Sequence, residues 1–260
     1  MNEAVITENF GRTMVVRFNR ADALNAMNQA VMSGLKNALR SAENDDGIAV
    51  CLLTGEGRAF CAGQDMHEMQ TIGQGGEIDN QFPSMLKVLT NFSKPLLAAV
   101  NGIGVGIGMT MLAHCDLVLM AASAKLRTPF PQLGLAPEAG SSYAFANRMG
   151  WPNAAYALMS GRWFSADECL EMGLVWRVVE DDKLLKQAQA IAEEIGKNPI
   201  PSLIATKQLM LSAGRPEKVW AAHAREAKAY ESLMGGAANQ EAVEAFLEKR
   251  EVDFSKIPGL

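Results

Sequence analysis

The sequence predicts an α/β fold of short strands and intervening helices, followed by a helical tail. Three observations carry this. Apolar runs of four to six residues recur at Ala49–Leu53, Leu96–Val100 and Leu117–Ala121, the length of a buried strand and too short for a helix. Segments with apolar residues every three or four positions lie between them, and such spacing places helices outside the strands. From Ala139 onward the pattern is mostly helical. The 260 residues are 48% hydrophobic and 20% charged, which suits one large domain or one domain with an appendage.

Ala4–Glu8 and Met14–Phe18 are rich in Val, Ile, Met and Phe around Gly11-Arg12, and predict a hairpin. Asn28 can cap a helix running to about Asn44, with Ala30, Val31, Leu35, Ala38 and Leu39 on one face. Ala49–Leu53 reads as a strand, and the glycines at 55, 57 and 63 make the next segment loop-like. Ile78–Phe92 is amphipathic, and Pro95 ends it. Beyond Leu96–Val100, the glycine-rich NGIGVGIG leads into a helix start at Ile107–Leu112. Ser165 to Glu168, SADE, has the form of a capping box, and the segment after Gly173 gives one more strand. NPIPS at 198–202 marks a composition break before helical stretches at about 202–212, 217–234 and 240–250. The expected organisation is a core over residues 1–197 and a helical region over 198–260 that docks on the core or on another subunit.

Several function classes fall away. Net charge is −5 with no basic stripe, so no nucleic-acid partner is expected. The four cysteines are far apart and the three histidines scattered, which predicts buried thiols, a reducing compartment and no metal. No signal-like start and no uninterrupted span long enough for a bilayer occur, so a cytoplasmic protein without membrane attachment is expected. The glycine run fails the Gly-x-Gly-x-x-Gly fingerprint in both registers, and no P-loop is present. Glycines after a strand do let backbone pass close to a ligand, and the helix after them offers unpaired N–H groups. GRAFCAGQD at 57–65 has the same character. Close helix–strand packing through small residues explains the glycines equally well.

AFCAGQD, KPLLAAVNGIGVGIG, CDLVLMAASAK, SGRWFSADECLEMGLVWRVVE and AFLEKRE, in this order and register, resemble the enoyl-CoA hydratase/isomerase (crotonase) superfamily from about Ala4 to Phe254. The resemblance implies a crotonase-like spiral of β-β-α units with a C-terminal helical trimerisation region. It implies an acyl-CoA thioester substrate, no cofactor beyond the coenzyme A carried by that substrate, and a homotrimer or dimer of trimers. It also implies an oxyanion hole from two backbone N–H groups, placed at Ala62 and Ile107. Ala23 and Asn25 fall where the family contacts or supports the nucleotide end of CoA, although Ala21 and Asp22 stand where Pro and a basic residue are frequent. Phe246 and Lys249 match positions that reach CoA, or else are a core Phe and a solvated Lys. Asp65 and Met66 follow the oxyanion loop. Met66, Met69 and Ile72 either line the acyl pocket or are ordinary core, and Phe130 fills pocket volume.

The acid/base residues separate family members. Hydratases carry one glutamate two residues after the glycine run and another twenty residues later; here those places hold Thr110 and Phe130, neither of which transfers protons at neutral pH. TPFPQLGLAPEAGSSYAF is similar to the peroxisomal-type Δ3-Δ2-enoyl-CoA isomerases, whose single glutamate corresponds to Glu138. One carboxylate suffices to take a proton from C2 and return it at C4. The alternative is a Glu on an exposed loop that caps the helix after Ala139. The same fold and base could isomerise another CoA thioester from aromatic-acid breakdown, or belong to a hydratase relative. A non-catalytic acyl-CoA-binding domain is the alternative of another class. His114 and Cys115 look like a catalytic pair, but neighbours on a helix end do not face each other, and both read as structural.

Overall fold

In a computed structural model of the chain, the described residues are 3–73 and 79–257, without the side chains of residues 70, 72 and 246. The strands in chain order are β1 (Val5–Phe10), β2 (Thr13–Phe18), β3 (Val50–Gly55), β4 (Ala59–Cys61), β5 (Leu96–Val100), β6 (Ile103–Val105), β7 (Leu117–Ala121), β8 (Lys125–Arg127), β9 (Phe164–Ser165) and β10 (Arg177–Val179). The helices are α1 (Gln29–Asn44), α2 (Met66–Gly73), α3 (Phe82–Asn91), α4 (Ile107–Thr110), α5 (Ser141–Met149), α6 (Trp151–Ser160), α7 (Ala166–Glu171), α8 (Leu184–Gly196), α9 (Ile200–Leu211), α10 (Arg215–Leu233) and α11 (Ala237–Glu248).

Two sheets form. The larger has the order β1-β2-β3-β5-β7-β10, and the smaller β4-β6-β8-β9. The β1–β2 hairpin is antiparallel, and β2, β3, β5, β7 and β10 then run parallel. Every residue of β3 and β5 is buried, as expected for parallel strands covered on both faces. Along the chain, a strand of the large sheet is followed by a short strand of the small one (β3 then β4, β5 then β6, β7 then β8), so each turn of the spiral contributes to both layers.

The local signals act as their chemistry dictates. The Asn28 side chain accepts from Val31 N at 3.0 Å at the start of α1, and the Ser165/Glu168 capping box opens α7. Lys94, although fully buried, donates to the carbonyls of Ala42, Asp45 and Ile48 at 2.7, 2.8 and 2.8 Å. It thereby offsets the cost of burying its charge and satisfies the end of α1. All four cysteines are free and buried.

Strands β4 and β6 lie inside the two segments read from sequence as loops. Each is three residues long, and they pair with each other, Ala59 with Ile103 and Cys61 with Gly104; a strand that short is specified by its partner rather than by its own composition. The helix expected over Ile78–Phe92 begins at Phe82, with Pro83 in its first turn, and Ile78 lies outside the described residues. In the C-terminal region, α10 packs on α5 and α3, and α11 on the turn at Pro131–Leu133. Among the described residues no helix is long and apolar enough to cross a membrane, and no group of three His, Cys, Asp or Glu could hold a metal ion.

Candidate active site

Three pieces of backbone pack together: two of them line one cavity, and the turn into α4 lies against both. The first is the loop after β4. Met27 bridges to this loop in parallel register: its N–H donates to Gly63 O at 2.7 Å, and its carbonyl accepts from Asp65 N at 3.2 Å. In such a bridge the residue between, Gln64, turns its own N–H and C=O away from Met27. The second piece is the turn into α4, where Ile107 is the first helical residue and its N–H has no place in the intrahelical ladder. The two pieces are in close contact, because a Cβ on Gly108 would strike the carbonyl of Cys61; only glycine allows that approach.

This geometry corrects one expectation. The Ala62 N–H donates to Leu24 O at 3.0 Å, so it is engaged inside the protein and not free for a ligand. No acceptor occurs for the Gln64 N–H among the described residues, and Gln64 lines the cavity. The amide of this loop that is left without a protein acceptor among the described residues is that of Gln64, two residues on. The sequence position was ambiguous because a run of small residues does not reveal which amide the bridge consumes.

The third piece is the turn carrying Glu138. Thr110, in α4, donates its hydroxyl to Glu138 Oε1 at 2.7 Å. Ala139 and Gly140 both adopt left-handed backbone, at φ 61° and 69°. The alanine pays strain for this conformation, and a side chain at 140 would collide with Val219. The turn is held from both sides. His114 Nε2 bonds to Ala139 O at 2.9 Å. Glu226, from α10, accepts from Gly140 N at 2.6 Å, Ser142 N at 2.8 Å and Ser142 Oγ at 2.6 Å. Burial lowers the His114 pKa to about 4, so its ring is neutral at pH 7 and the Nε2 proton makes the bond. His114 is thus structural, as expected, but its role is to support the turn beside Glu138.

Glu138 is not an exposed helix cap. The cap of α5 comes from Glu226, while the Glu138 side chain, half-buried, faces the cavity. Burial raises its pKa to about 8; the Thr110 hydroxyl pulls it down and the nearby Glu226 pushes it up. The cavity measures about 480 Å³ and is bounded by Gln64, Met69, Phe82, Glu138, His223 and Tyr230 among others, a volume ordinary for a small-molecule site. His223 packs against Phe82 and Trp220, with ring centroids 5.8 and 5.4 Å away.

Other expected binding residues fall elsewhere. Asn25 is buried, and its side chain is fully used: Oδ1 accepts from Arg20 N, and Nδ2 donates to Glu56 O and Ala59 O. It shapes the 20–27 segment and does not present its amide to a ligand. Asp65 is likewise occupied, by Arg20 Nη1 at 2.9 Å and His67 N at 3.0 Å. Ala23 ends a short 3-10 turn, with its carbonyl accepting from Ala26 N. Met66 is half-buried at the start of α2, and Phe130 is buried at 5% exposure; neither lines the cavity among the described residues, whereas Met69 does. Lys249 is exposed beyond α11, and the side chains of Phe246 and Ile72 lie outside the described residues. The sequence reasoning missed His223, Glu226 and Tyr230. Their spacing of three and four residues puts them on one face of a helix, which was the available signal.

Two layers of spiralling strands with helices packed around them and a helical C-terminal region make up the crotonase fold. The chain belongs to the enoyl-CoA hydratase/isomerase family, whose model matches residues 10–257. It is similar to 1,2-epoxyphenylacetyl-CoA isomerase of Escherichia coli (strain K12), with 31% identity covering 98% of this chain and 99% of the relative. It is also similar to 2,3-dehydroadipyl-CoA hydratase of the same organism, with 32% identity over 98% and 99%. Among solved structures, an enoyl-CoA hydratase/isomerase from Pseudoalteromonas atlantica T6c superposes with a TM-score of 0.90 at 33% identity, covering 96% of this chain and 99% of that one.

Proposed function

We propose that the protein is a Δ3-Δ2-enoyl-CoA isomerase that uses Glu138 as its one proton-transferring group. The observation that carries this is the placement of Glu138: its carboxylate faces the cavity from a turn pinned on both sides, while the positions of the two hydratase acids hold Thr110 and Phe130. Of the other cavity carboxylates, Glu226 has its oxygens committed to three donors, and Glu231 is exposed. In the reaction, the thioester oxygen accepts from the N–H groups of Gln64 and Ile107. Glu138 takes a proton from C2, and the negative charge that develops spreads to the thioester oxygen, where two amides stabilise it. The protonated Glu138 then returns the proton at C4, so the double bond moves from C3 to C2. A carboxylate with a pKa near 8 is a stronger base than one in water. No cofactor beyond the coenzyme A of the substrate enters this scheme. The exposed Trp151, Met159, Leu209 and Met210 support burial against another subunit, and the family resemblance makes the assembly a trimer or a pair of trimers.

A specific observation favours a second reading of the substrate. The cavity wall carries Phe82, His223 and Tyr230, with Trp220 set edge-to-face against His223, a surface suited to a ring-derived acyl group. This agrees with the name of one relative, an epoxyphenylacetyl-CoA isomerase.

The test is a spectroscopic assay of purified protein on cis- and trans-3-enoyl-CoA of several chain lengths, beside hydration of 2-enoyl-CoA and a ring-bearing thioester. Isomerisation of 3-enoyl-CoA that falls roughly 10²–10⁴-fold in Glu138→Gln, with little hydration, supports the proposal. Faster hydration than isomerisation overturns it, and turnover confined to the ring-bearing thioester selects the second reading. Binding without turnover of any thioester leaves an acyl-CoA-binding protein.

A further inference from the structure

We infer that Glu226, on the C-terminal helix α10, is a positioning residue for the reaction: its carboxylate fixes the turn that carries Glu138 and places a second negative charge beside it. This rests on Glu138 being the base, as proposed above.

The geometry is specific. Glu226 is 6% exposed, and its two oxygens receive three donors, Gly140 N and Ser142 N and Oγ, at 2.6–2.8 Å. So engaged, it cannot shuttle a proton itself. It sits at the N-terminus of the nine-residue α5, where the exposed amides and the helix dipole favour an anion. The residue that caps α5 by position is Gly140, which has no side chain, so the cap comes from a helix 86 residues further along the chain. A neutral local cap would satisfy the amides equally well. Burying a carboxylate instead costs desolvation, and here it stands close enough to oppose ionisation of Glu138. Helix α10 also supplies His223 and Tyr230 to the cavity wall, so the ion–amide clamp ties the turn of the base to that wall.

Glu138 bonds to the Thr110 hydroxyl from α4; the titratable groups around it are the Cys61 thiol from β4 and Glu226 and Tyr230 from α10, with His223 and Glu231 on the cavity wall. Burial holds the Cys61 thiol at about 12 and pushes the Tyr230 phenol up, so both are neutral at pH 7. Burial also lowers the His223 pKa, and Glu231 is exposed to solvent. The buried negative charge facing Glu138 is that of Glu226.

The experiment follows the Glu138 carboxyl carbon by 13C NMR in protein labelled at glutamate, assigned by its loss in Glu138→Gln, in wild type, Glu226→Gln and Ser142→Ala. Steady-state kinetics on 3-enoyl-CoA accompany it. In Glu226→Gln the Glu138 midpoint and the acid limb of kcat/KM are expected to move to lower pH together, by about half a unit or more. kcat is expected to fall roughly tenfold as the turn loosens, with KM within about twofold because the thioester amides are untouched. Ser142→Ala keeps the charge, and its midpoint is expected to stay at the wild-type value. A Glu226→Gln midpoint within about 0.2 unit of wild type, or an equal shift in Ser142→Ala, would overturn the inference. If Glu226→Gln does not fold, Glu226→Asp decides: it retains the charge but withdraws it by one carbon, so an unmoved midpoint with reduced kcat supports positioning, and a wild-type kcat overturns it. Wild-type turnover in Glu138→Gln would remove the proposed reaction, while the NMR midpoint would still decide the part played by Glu226.

Discussion

Glu138 should cost the protein stability in a pH window that the structure defines. Burial lifts its pKa from 4.5 to about 8. Below about pH 4.5 the carboxyl is protonated in both folded and unfolded chains and contributes no difference. As pH rises, the unfolded chain ionises while the folded one stays neutral, so the fold binds more protons and stability falls. Through pH 8 the folded carboxyl ionises too, and above that the loss is constant. Each pH unit between the two values is worth about 1.4 kcal/mol, so the full loss is at most about 5 kcal/mol. Glu138→Gln keeps the size of the side chain and an acceptor for the Thr110 hydroxyl, and does not ionise. Urea denaturation of both proteins at pH 5, 6.5, 8 and 9 should show the variant gaining on wild type steadily up to about pH 8 and then levelling, by roughly 2–5 kcal/mol in total. Taking the difference between the two proteins removes every other titrating group that the substitution leaves alone. A stability difference that is flat from pH 5 to pH 9 would refute the buried, raised carboxyl, and an advantage of the variant that grows as pH falls would reverse the sign of the whole argument.

Gln64→Pro removes the amide assigned to the thioester oxygen; a folded variant should lose roughly 10²–10³-fold in kcat, and near-normal turnover would reject Gln64 as a donor. Asn25→Ala removes three hydrogen bonds of a buried side chain, at a residue with φ 56°. It should lower stability by about 3 kcal/mol or more, read by thermal melting, with KM for acyl-CoA within about twofold of wild type because the side chain faces inward; a large rise in KM at unchanged stability would restore it as a binding residue. Light scattering at micromolar concentration should give the mass of three or six chains, and a monomer would mean that the exposed apolar residues of α6 and α9 are left uncovered.

Much of the architecture was legible because it is written in local chemistry. The hairpin around Gly11, the Asn28 cap, the apolar runs at 49–53, 96–100 and 117–121 and the Ser165/Glu168 box each depend on residues within a few positions of one another. So does the isolation of Glu138 among apolar and small residues, which marked it as unusual before any fold was in view. What the sequence left open depends on partners distant in the chain. Strands β4 and β6 exist because each pairs with the other. Which amide of this loop is left unpaired depends on Met27, which bridges to Gln64 37 residues later, and on Leu24, whose carbonyl accepts from the Ala62 N–H. Asn25 and Asp65 carry polar groups that any ligand could use, and only the packed structure turns them inward onto Arg20 and neighbouring backbone. The cap of α5 is a glutamate 86 residues away, beyond the reach of any local motif. The sequence by itself determined which segments are buried, which are helical and which acid is out of place, because those follow from periodicity and composition. The tertiary structure decided which hydrogen-bonding groups remain free, because a donor is free only when every neighbour that could accept from it has been placed.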